Sequence, residues 1–191
     1  MTSYKVRRDW PGLVGLLLGA SLASPALATV IVRFDPASST RLPGDLFTVD
    51  VVADFGADSV IGWGIDVSYD AQVIALTSPP TIGPYWQPAF APDGDGLTAA
   101  ADPFSDPDQN GLYGSIGGDN VLLATLTFSA VQPGESPIVA SITPGDLNEG
   151  FALDPIGFAD VVYQPASVLV VPEPISICLI LAGLLAMRRR R

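Results

Sequence analysis

Strict alternation of apolar and polar residues is what most limits the folds open to this chain. Ile61, Trp63, Ile65, Val67 and Tyr69 alternate with Gly62, Gly64, Asp66, Ser68 and Asp70. Strand side chains point to opposite faces with a period of two, so this spacing predicts a strand with one buried face. Phe47, Val49, Val51 and Ala53 repeat the pattern, and Leu122, Ala124, Leu126, Phe128 and Ala130 share one face of a long strand over 121–131. Shorter strands are predicted at 29–34, 73–76, 112–116, 137–142, 158–163 and 167–171. Turn formers separate them, as in Leu42-Pro-Gly-Asp45 and Gly117-Gly-Asp-Asn120. No segment between 29 and 170 carries a helical period. Residues 29–171 are therefore expected to form an all-β, antiparallel β-sandwich. The glycines beside Trp63 predict a bulge or a close backbone approach.

Residues 77–111 break the pattern with many prolines and glycines. A structureless loop of that length is unusual inside a compact domain, so it is either functional or holds strands that the alternation does not reveal. Two chemistries are open to it. Asp106-Pro-Asp108-Gln-Asn110-Gly matches the first half of a calcium-binding loop, with Asp106, Asp108 and Asn110 as oxygen ligands. The match then fails, because Gly117 stands where a bidentate Glu belongs and Pro107 suits the turn poorly. The alternative is a solvated, turn-rich loop that needs no ion. Tyr85, Trp86 and Phe90 are candidates for stacking on a sugar, or for folding back as a lid on the core.

Both ends of the chain differ from this middle. Residues 1–28 have basic Lys5, Arg7 and Arg8, a short apolar stretch and small residues at Ala26 and Ala28, the pattern of a secretory signal peptide. Residues 172–191 hold Pro172, Glu173 and Pro174, an uncharged apolar run at 175–187, and Arg188, Arg189, Arg190 and Arg191. Four arginines after an apolar helix resist translocation and stay cytoplasmic. The run of 13 residues reaches about 20 Å as a helix, against a hydrocarbon core of about 30 Å. That favours a temporary hold in the membrane over a comfortable permanent span.

The order of Val171-Pro172-Glu173-Pro174, apolar run and arginine cluster resembles the PEP-CTERM sorting signal of exported bacterial proteins. The resemblance implies recognition and cutting at the triplet by a membrane enzyme of the exosortase type. It also implies a transient stay at the inner membrane, followed by delivery to the cell surface or an exopolysaccharide matrix.

Charge narrows the function further. Residues 29–171 carry Arg33 and Arg41 against 18 carboxylates, a net charge of −16. Such a surface repels nucleic acid and attracts cations or basic partners. The chain has no His, and its middle has no Lys, which excludes a Ser-His-Asp triad and a Ser-Lys dyad. The one cysteine, Cys178, lies in the apolar tail, so no intramolecular disulfide is available. The chain is not expected to be an enzyme.

Leu42-Pro-Gly-Asp45, the pair Ile65-Asp-Val-Ser-Tyr-Asp70 and Val73-Ile-Ala-Leu76, and Leu122-Leu-Ala-Thr-Leu-Thr-Phe128 resemble, in order, segments of cohesin domains. This resemblance spans roughly residues 30–171. It implies a nine-stranded jelly-roll-type sandwich that binds partner modules or serves in cell-surface assemblies; no residue here marks a dockerin interface. The expected function is that of an exported, non-enzymatic surface or matrix protein with a structural or adhesive role. The alternative is a carbohydrate-binding module acting through the aromatics at 85–90.

Overall fold

The computed structural model describes residues 29–88, 96–101, 114–155 and 157–173. The expected signal peptide at 1–28, the rest of the tail from Pro174 onward and most of the Asp-rich loop lie outside these. Among the described residues no helix is long and apolar enough to cross a membrane.

Among the described residues every element is a strand: β1 (Thr29–Asp35), β2 (Ser38–Arg41), β3 (Leu46–Asp54), β4 (Ser59–Tyr69), β5 (Ile74–Leu76), β6 (Thr81–Ile82), β7 (Trp86–Pro88), β8 (Leu97–Ala101), β9 (Ile116–Gly117), β10 (Val121–Ala130), β11 (Gly134–Ser141), β12 (Gly150–Asp154), β13 (Gly157–Phe158), β14 (Asp160–Gln164) and β15 (Ala166–Val170). One sheet runs β14-β1-β3-β10-β5, with β6 also on β10; the other contains β13-β12-β4-β11-β15-β2, with β8 and β9 on β4 and β7 on β8. β5 and β6 share the partner β10, and β11 and β12 share β4, while β1–β2 and β14–β15 make the first and last runs of the described body. β13 is a two-residue addition. The expected sandwich is present, and 77–101 contains β6, β7 and β8 where the alternation shows only a loop. These segments are two to five residues long, too short to show a period.

Among the described residues two pairings are parallel, which the expected antiparallel arrangement lacks. β1 runs beside β14 from Thr29↔Asp160 to Arg33↔Gln164, and β2 beside β15 from Ser38↔Ser167 to Arg41↔Val170. The first and last runs thus lie side by side. Both change sheets at a proline corner, at Pro36 and Pro165.

The core fills the space between the sheets. Phe47, Phe128 and Tyr69 pack toward one end, with ring centroids 5.7 and 5.1 Å apart. Phe55, Trp63, Trp86 and Phe151 form a second aromatic group. Edge and tilted contacts of this kind add to area burial, because the rim of one ring faces the electron-rich face of the next.

Bulges correct the expected inward faces at two places. In β4, Ala152 pairs with Gly62 but Leu153 with Val60, so Ile61 is the extra residue. Val60 is fully buried and Ile61 only half-buried. In β10, Leu122 pairs with Val52 and Ala124 with Val51, so Leu123 is extra. Leu123 takes the core position expected of Leu122. One inserted residue reverses the facing of all that precedes it, which a period-two count cannot register.

Candidate functional site

The outer face around β4 has the most particular local geometry. β11 and β12 pair with successive stretches of β4, opposite 66–69 and 59–64. The chain between them, 142–149, leaves the sheet and returns over Gly64. A Cβ on Gly64 would collide with the backbone of Asn148 and lie 2.9 Å from Cα of Glu149. Gly64 is therefore required by the approach of another backbone, as its place beside Trp63 predicts.

Thr143 pins this excursion at its base. Its N–H donates to the carboxylate of Glu149, and its hydroxyl donates to Asp66 at 3.1 Å. Asp146 closes the tip by accepting from the backbone N–H of Asn148 at 2.8 Å and from its side-chain amide at 2.9 Å. Glu149 is 5% exposed, a buried carboxylate held by a backbone donor. Tyr163 on β14 responds to this charge. Burial, then Glu149, then Asp66 push its hydroxyl up to about 12, so it stays protonated. That hydroxyl is buried and has no hydrogen-bond partner among the described residues.

Beside the excursion lies a shallow groove of about 160 Å³ whose walls include Gly62, Thr98, Leu147, Asn148, Ala152 and Phe158. Glycine and alanine leave its floor low, while two large apolar side chains stand at it. Leu147 is 82% exposed and Phe158 58%. Phe158 is set by the β12–β13 hairpin and lies over Gly150, where a Cβ would come within 3.3 Å of its ring. The alternation does not find either residue as a surface feature. Phe158 reads as the start of a buried strand, and Leu147 as a loop residue.

The residues expected from sequence are placed as follows. Val171 is half-buried and donates its N–H to the carbonyl of Arg41 at 2.9 Å. Pro172 and Glu173 follow it as exposed residues. Pro174 and Arg188, Arg189, Arg190 and Arg191 lie outside the described residues, as do Asp106, Asp108, Asn110 and Phe90. The expected calcium loop therefore has no described geometry. Among the described residues no three carboxylates, His or Cys are grouped to hold a metal. Tyr85 is 40% exposed. Trp86 is a core residue: it is 5% exposed, packs edge-on against Trp63 and Phe55, and donates its indole N–H to the carbonyl of Leu122 at 3.1 Å. Of the two roles open to it, it has the lid's, and it presents no face to a sugar.

No protein-family model and no curated protein matches the chain. Several solved structures do match in fold. The chain is similar to a cohesin module from a Clostridium perfringens family 33 glycoside hydrolase, with 11% identity over 77% of this chain and 98% of that one, and a TM-score of 0.53. It is similar to the third ScaB cohesin of R. flavefaciens, solved in complex with a group 1 dockerin, with 11% identity, coverage of 76% and 97%, and a TM-score of 0.53. A type III cohesin module from the ScaE cell-surface anchoring scaffoldin of Ruminococcus flavefaciens matches with 11% identity, coverage of 80% and 92%, and a TM-score of 0.53. At this identity the likeness concerns the fold, and the chain has a cohesin-like β-sandwich.

Proposed function

We propose that this chain is an exported, non-enzymatic interaction module that binds a protein partner through the groove beside the 142–149 excursion. The observation that carries the proposal is the pair Leu147 and Phe158, standing exposed at a low floor of glycine and alanine. Phe158 stands on the β12–β13 hairpin and Leu147 on an excursion tied down at Thr143 and Asp146, and exposed apolar side chains grouped in this way suit protein recognition. Support comes from cohesin-fold neighbours whose descriptions name a bound dockerin and a cell-surface anchoring scaffoldin.

The route belongs to the same proposal. An exosortase-type enzyme recognises Val171-Pro172-Glu173-Pro174 after export, and the module then works at the cell surface or in an exopolysaccharide matrix in a structural or adhesive role. The placement of Val171 favours access to the triplet: it makes the last backbone bond of the ladder, and Pro172 and Glu173 are exposed just beyond it.

Two measurements test these parts separately. A photo-crosslinking residue at Phe158 of the full chain, expressed in cells that export it, should yield a discrete protein adduct. The same residue at Val162, which is 48% exposed on β14 of the other sheet, should not. Equal labelling at both positions, or an adduct with polysaccharide alone at Phe158, overturns the partner proposal. Mass spectrometry of the exported protein should find the chain ending near Pro172–Pro174. Retention of Arg191 overturns the sorting proposal.

A further inference from the structure

The end of the sandwich from which the tail departs carries an apolar surface with one cation, Arg41, beside it and one exposed carboxylate, Asp45, on the same turn. Val171 bonds to the carbonyl of Arg41, and Leu42 follows directly. The turn from Leu42 to Asp45 is tied to the end of β10, where Gly44 donates to the carbonyl of Ala130 at 2.8 Å and Ala130 to that of Asp45 at 2.9 Å. These bonds gather Leu42, Leu46 and Val131 around one turn, where they are 39%, 70% and 48% exposed. Arg41 stands beside them with its guanidinium 4.9 Å from the centroid of the Phe47 ring. Among the described residues its Nε is buried without a hydrogen-bond partner, and the guanidinium makes no ion pair.

The sequence beyond Val171 says what this surface meets. Ile175, the first residue of the apolar run, is four residue steps away. Four steps of extended chain span at most about 14 Å. If the run enters a bilayer, this end of the module is held against the lipid headgroups, while Thr29 and Asp160 sit at the far end of the paired first and last runs.

We propose that the tail-exit end is a membrane-resting surface. Leu42, Leu46 and Val131 settle at the headgroup boundary, and Arg41 takes a lipid phosphate, before the tail is cut. Apolar side chains with an adjacent cation suit that interface, where one side is apolar and the other holds phosphate. The contact orients the module so that the exposed Pro172 and Glu173 lie at the membrane surface, within reach of a membrane-embedded enzyme. This inference rests on the proposed insertion of the tail.

The test uses the chain from Thr29 to Arg191, as it is after removal of the expected signal, in phosphatidylcholine vesicles containing a lipid with a nitroxide on its headgroup. An environment-sensitive fluorophore on the native Cys178 reports tail insertion. In a Cys178→Ser background, the fluorophore on Leu46→Cys or Val131→Cys reports the near end, and on Asp160→Cys the far end. Quenching at 46 and 131 should exceed that at 160 several-fold. Arg41→Gln should weaken it and Arg41→Lys preserve it. Quenching at 178 with none in excess at 46 and 131 overturns the resting surface and leaves the inserted tail standing. Absence of quenching at 178 overturns both. Indifference to Arg41→Gln removes the arginine from the contact.

Discussion

Gly64 lies directly beneath Asn148, so close that a single added methyl would strike the Asn148 backbone. This relationship holds the 142–149 excursion against β4, and the proposed partner groove is built beside it. Gly64→Ala must push one backbone off the other, because no flexible side-chain end is available to move. The expected cost is about 2–4 kcal/mol, in the range of overpacking at a closely packed site. Gly62→Ala meets the Ala99 carbonyl at 3.3 Å, a milder contact, and should cost under about 1.5 kcal/mol. Urea midpoints of the two variants check the difference. Equal midpoints would remove the excursion's seat on Gly64.

Trp86 should behave as a core residue. Trp86→Ala removes its edge contacts with Trp63 and Phe55 and its bond to Leu122, and about 3–5 kcal/mol of stability is expected to go with them. Any loss of ligand binding in that variant would therefore report unfolding. Tyr85→Ala is the clean probe of sugar stacking, since Tyr85 is exposed, and its thermal midpoint should match that of the parent. Undiminished stability of Trp86→Ala would contradict its placement in the core.

The β10 bulge separates two neighbouring leucines. Leu123 is fully buried and Leu122 half-buried. Leu123→Ala should cost about 2–5 kcal/mol through lost burial and the cavity left behind, and Leu122→Ala distinctly less. The reverse order in a denaturant series would show that β10 runs without its bulge and that plain alternation is right.

Tyr163 predicts a dependence on alkaline pH. An unfolded tyrosine ionises near 10, whereas here the proton is held up to about 12. Between these values the unfolded chain has lost a proton that the folded one keeps, so stability is full below pH 10 and falls as pH rises toward 12. Allowing for partial solvent screening, the slope should be about 1 kcal/mol per pH unit. In Tyr163→Phe this slope should vanish. At pH 7 the variant should equal the parent or exceed it, because the hydroxyl it removes is buried and unpaired among the described residues. A marked loss at pH 7 would mean that the hydroxyl has a partner.

Much of the body was legible because burial imposes a period on any strand with one wet face. The inward residues Phe47, Val49, Val51, Ala53, Trp63, Ile65, Leu126, Phe128 and Ala130 are core residues. The turn at 42–45 and the glycine contact beside Trp63 were legible from local residue types, and the cohesin-like sandwich from the resemblance of the segments at 42–45, 65–76 and 122–128. The candidate site was not. Phe158 and Leu147 come together only because 142–149 loops out between β11 and β12, and a loop carries no period from which its path can be read. Trp86 showed no role in its own neighbourhood, because its partners Phe55, Trp63 and Leu122 are distant in sequence.

By itself the sequence determined an acidic, all-β body between two basic, apolar-rich ends, since composition, alternation and charge segregation are properties of the chain read in order. Tertiary structure decided the pairing of first and last runs, the bulges at Ile61 and Leu123, and the burial of Trp86. It also decided the meeting of Leu42, Leu46 and Val131 at the tail exit. Each of these depends on contacts between residues tens of positions apart. Their free energy arises from the two sheets closing on one another, which no local spacing encodes.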